Sequence, residues 1–540
     1  MSVSRKNLVI VFLVTLSYRL LFQVVNGFPL RPDFFQRVSV MKDIAAGRPY
    51  IQSLNPELFY QLGSLAFHLP VDPLWFFSIA TIFVAALGIT TVCYVTAEFF
   101  GQKAGLYAAF ALVVMSTIPF KATYSWTINS YISAYVFLPL FLLTLFQWKR
   151  TEDLTHLLTG SILLLLIGGF HHLVFLEVIA LLGFAFFLVD IRVILYAPAI
   201  VLNIGLMWQN YGQYLFERGV GLLGSITDRV LEFLSLDQGT SSPTSSDPPS
   251  STGSSPPPQS NNGNSGSIEQ FSDSTFINLV SQLSMLNPFV ILTGSIGFIY
   301  GLTKPRERGN IALRILLAWV LAQLSMILFT HFVQPQGTER AIRHLFIPFA
   351  MVFGVGFEVV VSTAKQRLEL PRILDDLDIR GVLLAIAVVL SIPMLAYQVA
   401  PFGGAGYVVH PDSELTDGME KINVDGKILA PPLTNELVNY YHDGEVLRTY
   451  PRDFTIPDRE RQTQAKAWAW WEDPANCQQL RELGVDWVFV DKRDYFGQYW
   501  NNPENVRVPQ HFDQPYLEVE YENADMALYE VTACNSSETA

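Results

Sequence analysis

The sequence predicts a polytopic α-helical membrane protein. It would have about eleven transmembrane helices, a cytoplasmic N-terminus and a C-terminal extracytoplasmic α/β domain. Three observations predict it. Half of the 540 residues are apolar and only 15% are charged, whereas a soluble protein carries about a quarter charged residues. The charges avoid stretches such as 74–98 and 381–399 and crowd into 411–540. Lys and Arg recur in alternate short loops, as the positive-inside rule requires of a chain threading a bilayer.

The candidate spans are 7–25, 74–97, 104–120, 131–148, 154–170, 172–190, 193–209, 288–303, 311–331, 344–361 and 381–399. Each is an apolar run near the length of about 20 residues that crosses about 30 Å of hydrocarbon. Arg5 and Lys6 precede the first run and no small-residue cleavage site follows, so it reads as an uncleaved signal-anchor. With the N-terminus inside, every inner loop carries a basic residue, from Lys103 and Lys149–Arg150 through Arg192 and Arg306 to Arg367 and Arg380. The outer segments are then 26–73, 121–130, a turn at His171, 210–287, 332–343 and everything after 400. Chemistry is expected there.

Residues 1–400 form the expected transmembrane domain and 401–540 the soluble one. In the first outer loop, Phe34, Phe35, Val38, Met41 and Ile44–Ala45 recur at helical spacing, with Arg37, Lys42 and Asp43 opposite. That is an amphipathic helix able to lie on the membrane surface. A second covers Asn55–Leu69 and ends before Pro70. The tract 237–267 is almost wholly Ser, Pro, Gly and Asn and is expected to be disordered, between flanking helices at 213–236 and 268–287. After Pro401 the pattern turns to short elements: strands at 427–430, 446–450 and 487–491, helices at 435–442 and 477–483, and a closing hairpin of 516–522 with 527–531.

A net charge of −13 argues against a nucleic-acid partner. Three cysteines are present. Cys93 lies in an apolar run. Cys477 and Cys534 fall in the outer domain, where a disulfide and two free thiols are both open.

Five features converge on the outer side: Asp33 directly after the first span; Glu57; Lys121 and Tyr124 at the end of the third span; His171 with His172 at the outer turn; and Glu339, Arg340, Arg343 and His344 in GTERAIRHLFIPF. A carboxylate beside a membrane surface can serve as general base toward an acceptor, its pKa tuned by burial and neighbouring cations. Two arginines three apart share a helix face and can grip a phosphate. At that depth the phosphate belongs to a lipid-linked donor, and it is also a leaving group whose charge the arginines stabilise.

The order of these features resembles the glycosyltransferase C superfamily of polytopic membrane enzymes. The first span has an internal Arg19, the first outer loop opens with Asp33, and its helix ends in Ala46–Gly47–Arg48–Pro49. Asn55–Pro56–Glu57–Leu58–Phe59–Tyr60 follows, and TAEFFGQKAGLYAAFALVVMSTIPF is similar to the inner turn and third span of protein-mannosyltransferase-like members. GTERAIRHLFIPF is similar to the start of a late span, and LRELGVDWVFVDKRD with YENADMALYEV resembles the outer domain of archaeal members. The resemblance covers most of the chain except 210–287. It implies an inverting hexosyltransferase that takes a sugar from a polyprenyl-phosphate (dolichyl-phosphate-type) donor and passes it to a glycan, lipid or protein acceptor. The reaction would take place on the outer face of an archaeal plasma membrane. It implies Asp33 as the catalytic base. Arg340, Arg343 and His344 would hold the donor with Lys121, and Glu339, Tyr124, Glu57 and His171 would line the substrate site. Phe34 and Phe35 stand where many members carry a second acid. No cofactor is assigned, and a divalent metal stays open. Trp470–Trp471–Glu472–Asp473–Pro474 is only superficially similar to the WWDYG motif of the superfamily's oligosaccharyltransferases.

Plainer roles stand beside these. Asp33 can cap the helix it begins, Arg19, Arg340 and Arg343 can snorkel, Glu57 can be solvated, and Lys121, Tyr124 and Trp126 can form an interfacial belt. His171–His172 suits a polar turn better than a metal site. The alternative function is a non-catalytic relative that binds lipid-linked sugar or scaffolds a cell-surface assembly. A transporter is disfavoured by the lack of an inverted repeat.

Overall fold

The computed structural model describes residues 4–25, 32–47, 57–115, 128–206, 287–303, 307–333, 335–367, 379–399, 413–422, 424–431, 434–447, 462–463, 466–467, 470–471, 476–492 and 512–532. One compact unit comprises Met1–Asn203 and Gln282–Ala540, and a second Ile204–Ser281. Of the second, only the helix end at 204–206 is described. The Ser/Pro/Gly tract and its expected helical flanks lie outside the described residues, apart from Asn287.

Helices dominate the first unit. In chain order they are α1 (Arg5–Val25), α2 (Pro32–Ala45), α3 (Glu57–Ser64, continued by a 3-10 turn), α4 (Pro73–Phe100) and α5 (Gln102–Val114). Next come α6 (Ile128–Thr151), α7 (Leu154–Phe170), α8 (His172–Leu188) and α9 (Ile191–Leu206). They are followed by α10 (Pro288–Thr303), α11 (Glu307–Val333), α12 (Pro335–Arg367) and α13 (Ile379–Val399). Every stretch read as a span falls on one of these helices. Among the described residues five helical stretches are long and apolar enough to cross a membrane: Arg5–Val25, Pro73–Phe100, Ile128–Thr151, Asn310–Leu328 and Ile342–Lys365. The others are shorter apolar helices.

The helix boundaries follow from local chemistry. Asp72 caps α4, its Oδ1 accepting from the Leu74 N–H at 2.6 Å, with Pro73 in the first helical position. Gly101 alone joins α4 to α5, and its φ of +99° suits glycine above other residues. Asp153 caps α7, accepting from Thr155 N–H at 2.9 Å. Where α10 crosses α12 the contact is made by small residues. A Cβ on Gly294 would lie 2.8 Å from the Phe349 carbonyl oxygen, and one on Gly297 would lie 2.7 Å from that of Val352. In lipid, such close backbone approach is what draws helices together.

Helix α1 inverts the usual amphipathic arrangement. Its buried residues Thr15, Arg19, Phe22 and Gln23 form one stripe, while Val9, Leu13, Leu20, Leu21 and Val24 face outward. Arg19 therefore does not snorkel: it is enclosed, 1% exposed, on the face of α1 that packs against α4.

The C-terminal segment holds α14 (Glu414–Lys421), β1 (Lys427–Leu429), α15 (Asn435–Tyr441), β2 (Glu445–Leu447), α16 (Cys477–Leu483), β3 (Trp487–Asp491), β4 (Leu517–Glu522) and β5 (Met526–Val531). The strands form one mixed sheet in the order β2-β1-β3-β5-β4. β1 runs parallel to β2 and β3, and β5 antiparallel to β3 and β4. In the β4–β5 turn the Asn523 side chain accepts from the N–H groups of Asp525 and Met526, both at 2.9 Å. Gly484, in the left-handed region at φ +64°, ends α16. Cys477 is disulfide-bonded and Cys93 is free and buried; Cys534 lies outside the described residues.

Two apolar cores serve the sheet. One face packs Leu429, Trp470, Trp471, Leu480, Val488, Val490 and Tyr529 together. The other merges Ile428, Leu437, Val438, Phe489 and Leu528 with Phe34, Phe35, Val38 and Met41 of α2, and with Phe59 and Phe170. Helix α2 is thus covered on both sides and does not lie on a surface with a solvated face. Its expected polar side is also buried: Arg37 is 7% and Ser39 is 1% exposed.

Candidate functional site

The polar groups of α2 are held by partners distant in sequence. Arg37 Nη1 donates to Asn129 Oδ1 at 3.1 Å, and Asn129 Nδ2 donates to the Phe170 carbonyl at 3.3 Å. This chain of bonds ties α2 to the start of α6 and to the last residue of α7, next to His171. From the sheet side, Asn439 Nδ2 donates to Ser39 Oγ at 2.9 Å and Lys42 Nζ donates to the Tyr440 carbonyl at 2.6 Å. Lys42 also pairs with Asp443 at 3.0 Å. Burial pushes the Tyr440 and Tyr441 hydroxyls well above the usual phenol range, and nearby Asp72 and Glu420 push the same way. Both phenols therefore remain neutral hydrogen-bonding groups at the rim of this seam.

His171 is the one residue between α7 and α8. It is 2% exposed, and its Nδ1 accepts from the Val174 N–H at 3.3 Å, so it caps α8. The His172 ring stacks beside it, with centroids 5.4 Å apart. The polar-turn reading of this pair agrees with that cap.

Six residues further along α8, Glu177 is buried among three helices. Its Oε1 lies 2.7 Å from His344 Nδ1 on α12, and its Oε2 accepts from Gln323 Nε2 on α11 at 2.8 Å. None of the three is more than 6% exposed. A carboxylate at such depth is expensive unless paired, and in membrane helices it marks function or a fixed packing point. This pairing anchors the stretch of α12 that carries Arg343, which is itself half-buried.

Asp33 stands in the first turn of α2, Glu57 opens α3, and Glu339 and Arg340 lie in the first turns of α12; the side chains of all four lie outside the described residues. Lys121 and Tyr124 lie wholly outside them. The two candidate segments, α2 with Asp33 and α12 with Arg343–His344, are each bonded to the α7–α8 hairpin, one through Asn129 and the other through Glu177. Among the described residues no three His, Cys, Asp or Glu side chains gather as a metal site would require.

No protein-family model matches the chain, and no curated protein matches it in sequence. Solved structures do match. The chain is similar to ArnT from Cupriavidus metallidurans, solved bound to undecaprenyl phosphate, with a TM-score of 0.53, 11% identity and coverage of 98% of this chain and 99% of that one. It is also similar to the Archaeoglobus fulgidus oligosaccharyltransferase. In the apo form the TM-score is 0.52 at 13% identity, and with a tethered acceptor peptide containing the NVT sequon it is 0.53 at 11%; each match covers 98% of this chain and 74% of that one. The fold is that of the glycosyltransferase C membrane enzymes.

Within the glycosyltransferase C fold, two features separate this chain from a generic member. Phe34 and Phe35, which stand where a second acid is common, are fully buried against the sheet. They anchor the C-terminal segment, so an acid there would be buried in an apolar core. The tryptophans that superficially resemble the oligosaccharyltransferase motif are likewise core residues: Trp470 is enclosed and donates from Nε1 to Tyr516 Oη at 3.1 Å.

Sequence reasoning did not single out Glu177, Gln323, Asn129 or Tyr135. Glu177 had a signal, as the one charge within HLVFLEVIALLGFAFFLV. The amides and the tyrosine had none, because their roles depend on partners across the fold.

Proposed function

We propose that this chain is a multi-pass plasma-membrane glycosyltransferase that moves a sugar from a polyprenyl-phosphate-linked donor to an acceptor at the extracytoplasmic face. In this reading the apolar helices make eleven spans, and the α2 segment, the His171 turn and the C-terminal α/β domain (401–540) lie outside. Asp33 accepts the acceptor's proton. The acceptor attacks the anomeric carbon from the face opposite the phosphate, and the carbon–oxygen bond to phosphate breaks. Its electron pair leaves with the polyprenyl phosphate, and the anomeric configuration inverts. Arg340 and Arg343 stabilise the departing phosphate, assisted by His344 and Lys121.

The observation that carries this reading is the end-to-end match of fold with ArnT, a structure that holds undecaprenyl phosphate. The joining of the Asp33 helix and the Arg343 segment to one helical hairpin supports it. A second reading, a non-catalytic binder of lipid-linked sugar, draws support from the burial of Phe34 and Phe35 where a second acid would stand.

Transfer from a panel of radiolabelled polyprenyl-phosphate sugars in purified membranes separates the two. Transfer that falls by about 10²-fold or more in Asp33→Asn, a general-base effect, with donor binding retained, supports the enzyme and the base. Transfer that survives removes Asp33 from the mechanism. Donor binding without transfer from any sugar favours the binder.

A further inference from the structure

Helix α6 is interrupted at Ile132–Phe137 by a π-helical turn, a feature found mostly at functional sites. The turn carries two tyrosines. The rings of Tyr131 and Tyr135 stack with centroids 4.1 Å apart and planes 4° apart, and each is 1% exposed. They rest on Gly88 of α4, where a Cβ would come within 2.6 Å of the Tyr131 ring and 2.8 Å of Tyr135 Cβ. The rings are equivalent in burial and packing, but the hydroxyls are not. Tyr131 Oη donates to the Ala85 carbonyl at 3.2 Å, whereas the Tyr135 hydroxyl is buried with no hydrogen-bond partner. Such a group is retained against a real desolvation cost, and each instance calls for an explanation. Arg343 lies within electrostatic reach of that hydroxyl. A phosphoryl oxygen, as an anionic acceptor, would satisfy the phenol and the guanidinium together.

We propose that Tyr135 is a donor-binding residue whose hydroxyl donates a hydrogen bond to the phosphate of the polyprenyl donor beside Arg343. This rests on the phosphate role given to Arg343 above. The stack and the π turn set the ring in place, and only the oxygen makes the contact.

Binding of a short-chain polyprenyl monophosphate to the full-length protein in micelles tests it, using Tyr135→Phe, Tyr131→Phe and Arg343→Gln with thermal midpoints measured alongside. Tyr135→Phe should weaken binding about tenfold or more, the scale of a lost hydrogen bond to a charged group, with the midpoint unchanged or raised. Tyr131→Phe should lower the midpoint, because it strands the Ala85 carbonyl, and leave affinity within about twofold. Wild-type affinity in Tyr135→Phe with binding lost in Arg343→Gln overturns this inference and leaves the Arg343 reading intact. Wild-type affinity in both removes that reading and the inference with it. A midpoint lowered in Tyr135→Phe as in Tyr131→Phe assigns the hydroxyl to structure and overturns the proposal. Inorganic phosphate is titrated in parallel: an affinity matching that of the lipid would make this a free-phosphate site and overturn the donor assignment, and a much weaker one supports it.

Discussion

The two ends of the helical bundle hold their charges in opposite ways. At the end that carries α2 and the His171 turn, polar groups are buried and matched to particular partners: Arg37 to Asn129, and Glu177 to His344 and Gln323. At the other end, charges stand in water and share partners. Asp190 pairs with both Lys149 and Arg192, Arg192 also reaches Glu152 at 2.9 Å, and its guanidinium lies 5.8 Å from the Trp148 ring centroid. A buried pair has no solvent to fall back on when one member is lost. An exposed network can replace one partner by another or by water. The first arrangement fixes geometry, and the second tolerates change. The proposed chemistry belongs at the end that fixes geometry.

The largest test of that contrast is Glu177→Ala, which leaves Gln323 and His344 buried without their carboxylate. A loss of about 3–5 kcal/mol is expected, as for breaking a buried pair, measured by thermal unfolding in detergent beside Asp190→Ala. Equal losses in the two variants would break the comparison. An intermediate effect is expected of Lys42→Ala, whose partner Asp443 is 79% exposed. The loss of stability should stay below about 1 kcal/mol, while amide exchange over 435–441 quickens as the sheet loosens from α2. The smallest concerns Asp190. Hydrogen bonds from Arg192 and then Lys149 hold its carboxyl well below the usual carboxylate range. With the folded pKa below the unfolded value of about 3.9, its stabilising contribution is complete above that value and fades as pH falls through it toward the folded pKa. Wild type and Asp190→Asn should differ slightly at neutral pH and converge in acid. Salt at about 1 M, where the Debye length is about 3 Å, should erase the difference, and the Glu177 effect should survive it.

Much of the helical frame was legible because each helix carries its own evidence, an apolar run with an Asp, His or Gly at its end. The same is true of Cys477–Leu483 and Trp487–Asp491, where Gly484 and a β-rich run mark the boundary locally. The candidate site was less legible because its bonds are long-range. Gln323 lies 146 residues and His344 lies 167 residues from Glu177. Ser39 meets Asn439 across 400. A periodicity argument sees one face of α2 as apolar and the other as wet, and it has no access to a sheet that arrives so much later to cover both. Arg19 failed the snorkelling expectation for the same reason: the neighbour that encloses it is α4, not lipid.

The π turn makes chain length a constraint on α6 that composition alone would not impose. Six residues occupy Ile132–Phe137, and excising any one would let the helix close into regular α periodicity, turning everything beyond it by about 100° about its axis. Phe141, Leu142 and Leu145, all fully buried, would swing away from their neighbours while Asn129 stayed bonded to Phe170. Single-residue deletions here should therefore be selected against far more strongly than substitutions at half-buried Ile132, and an aligned relative that keeps both tyrosines should also keep the extra residue.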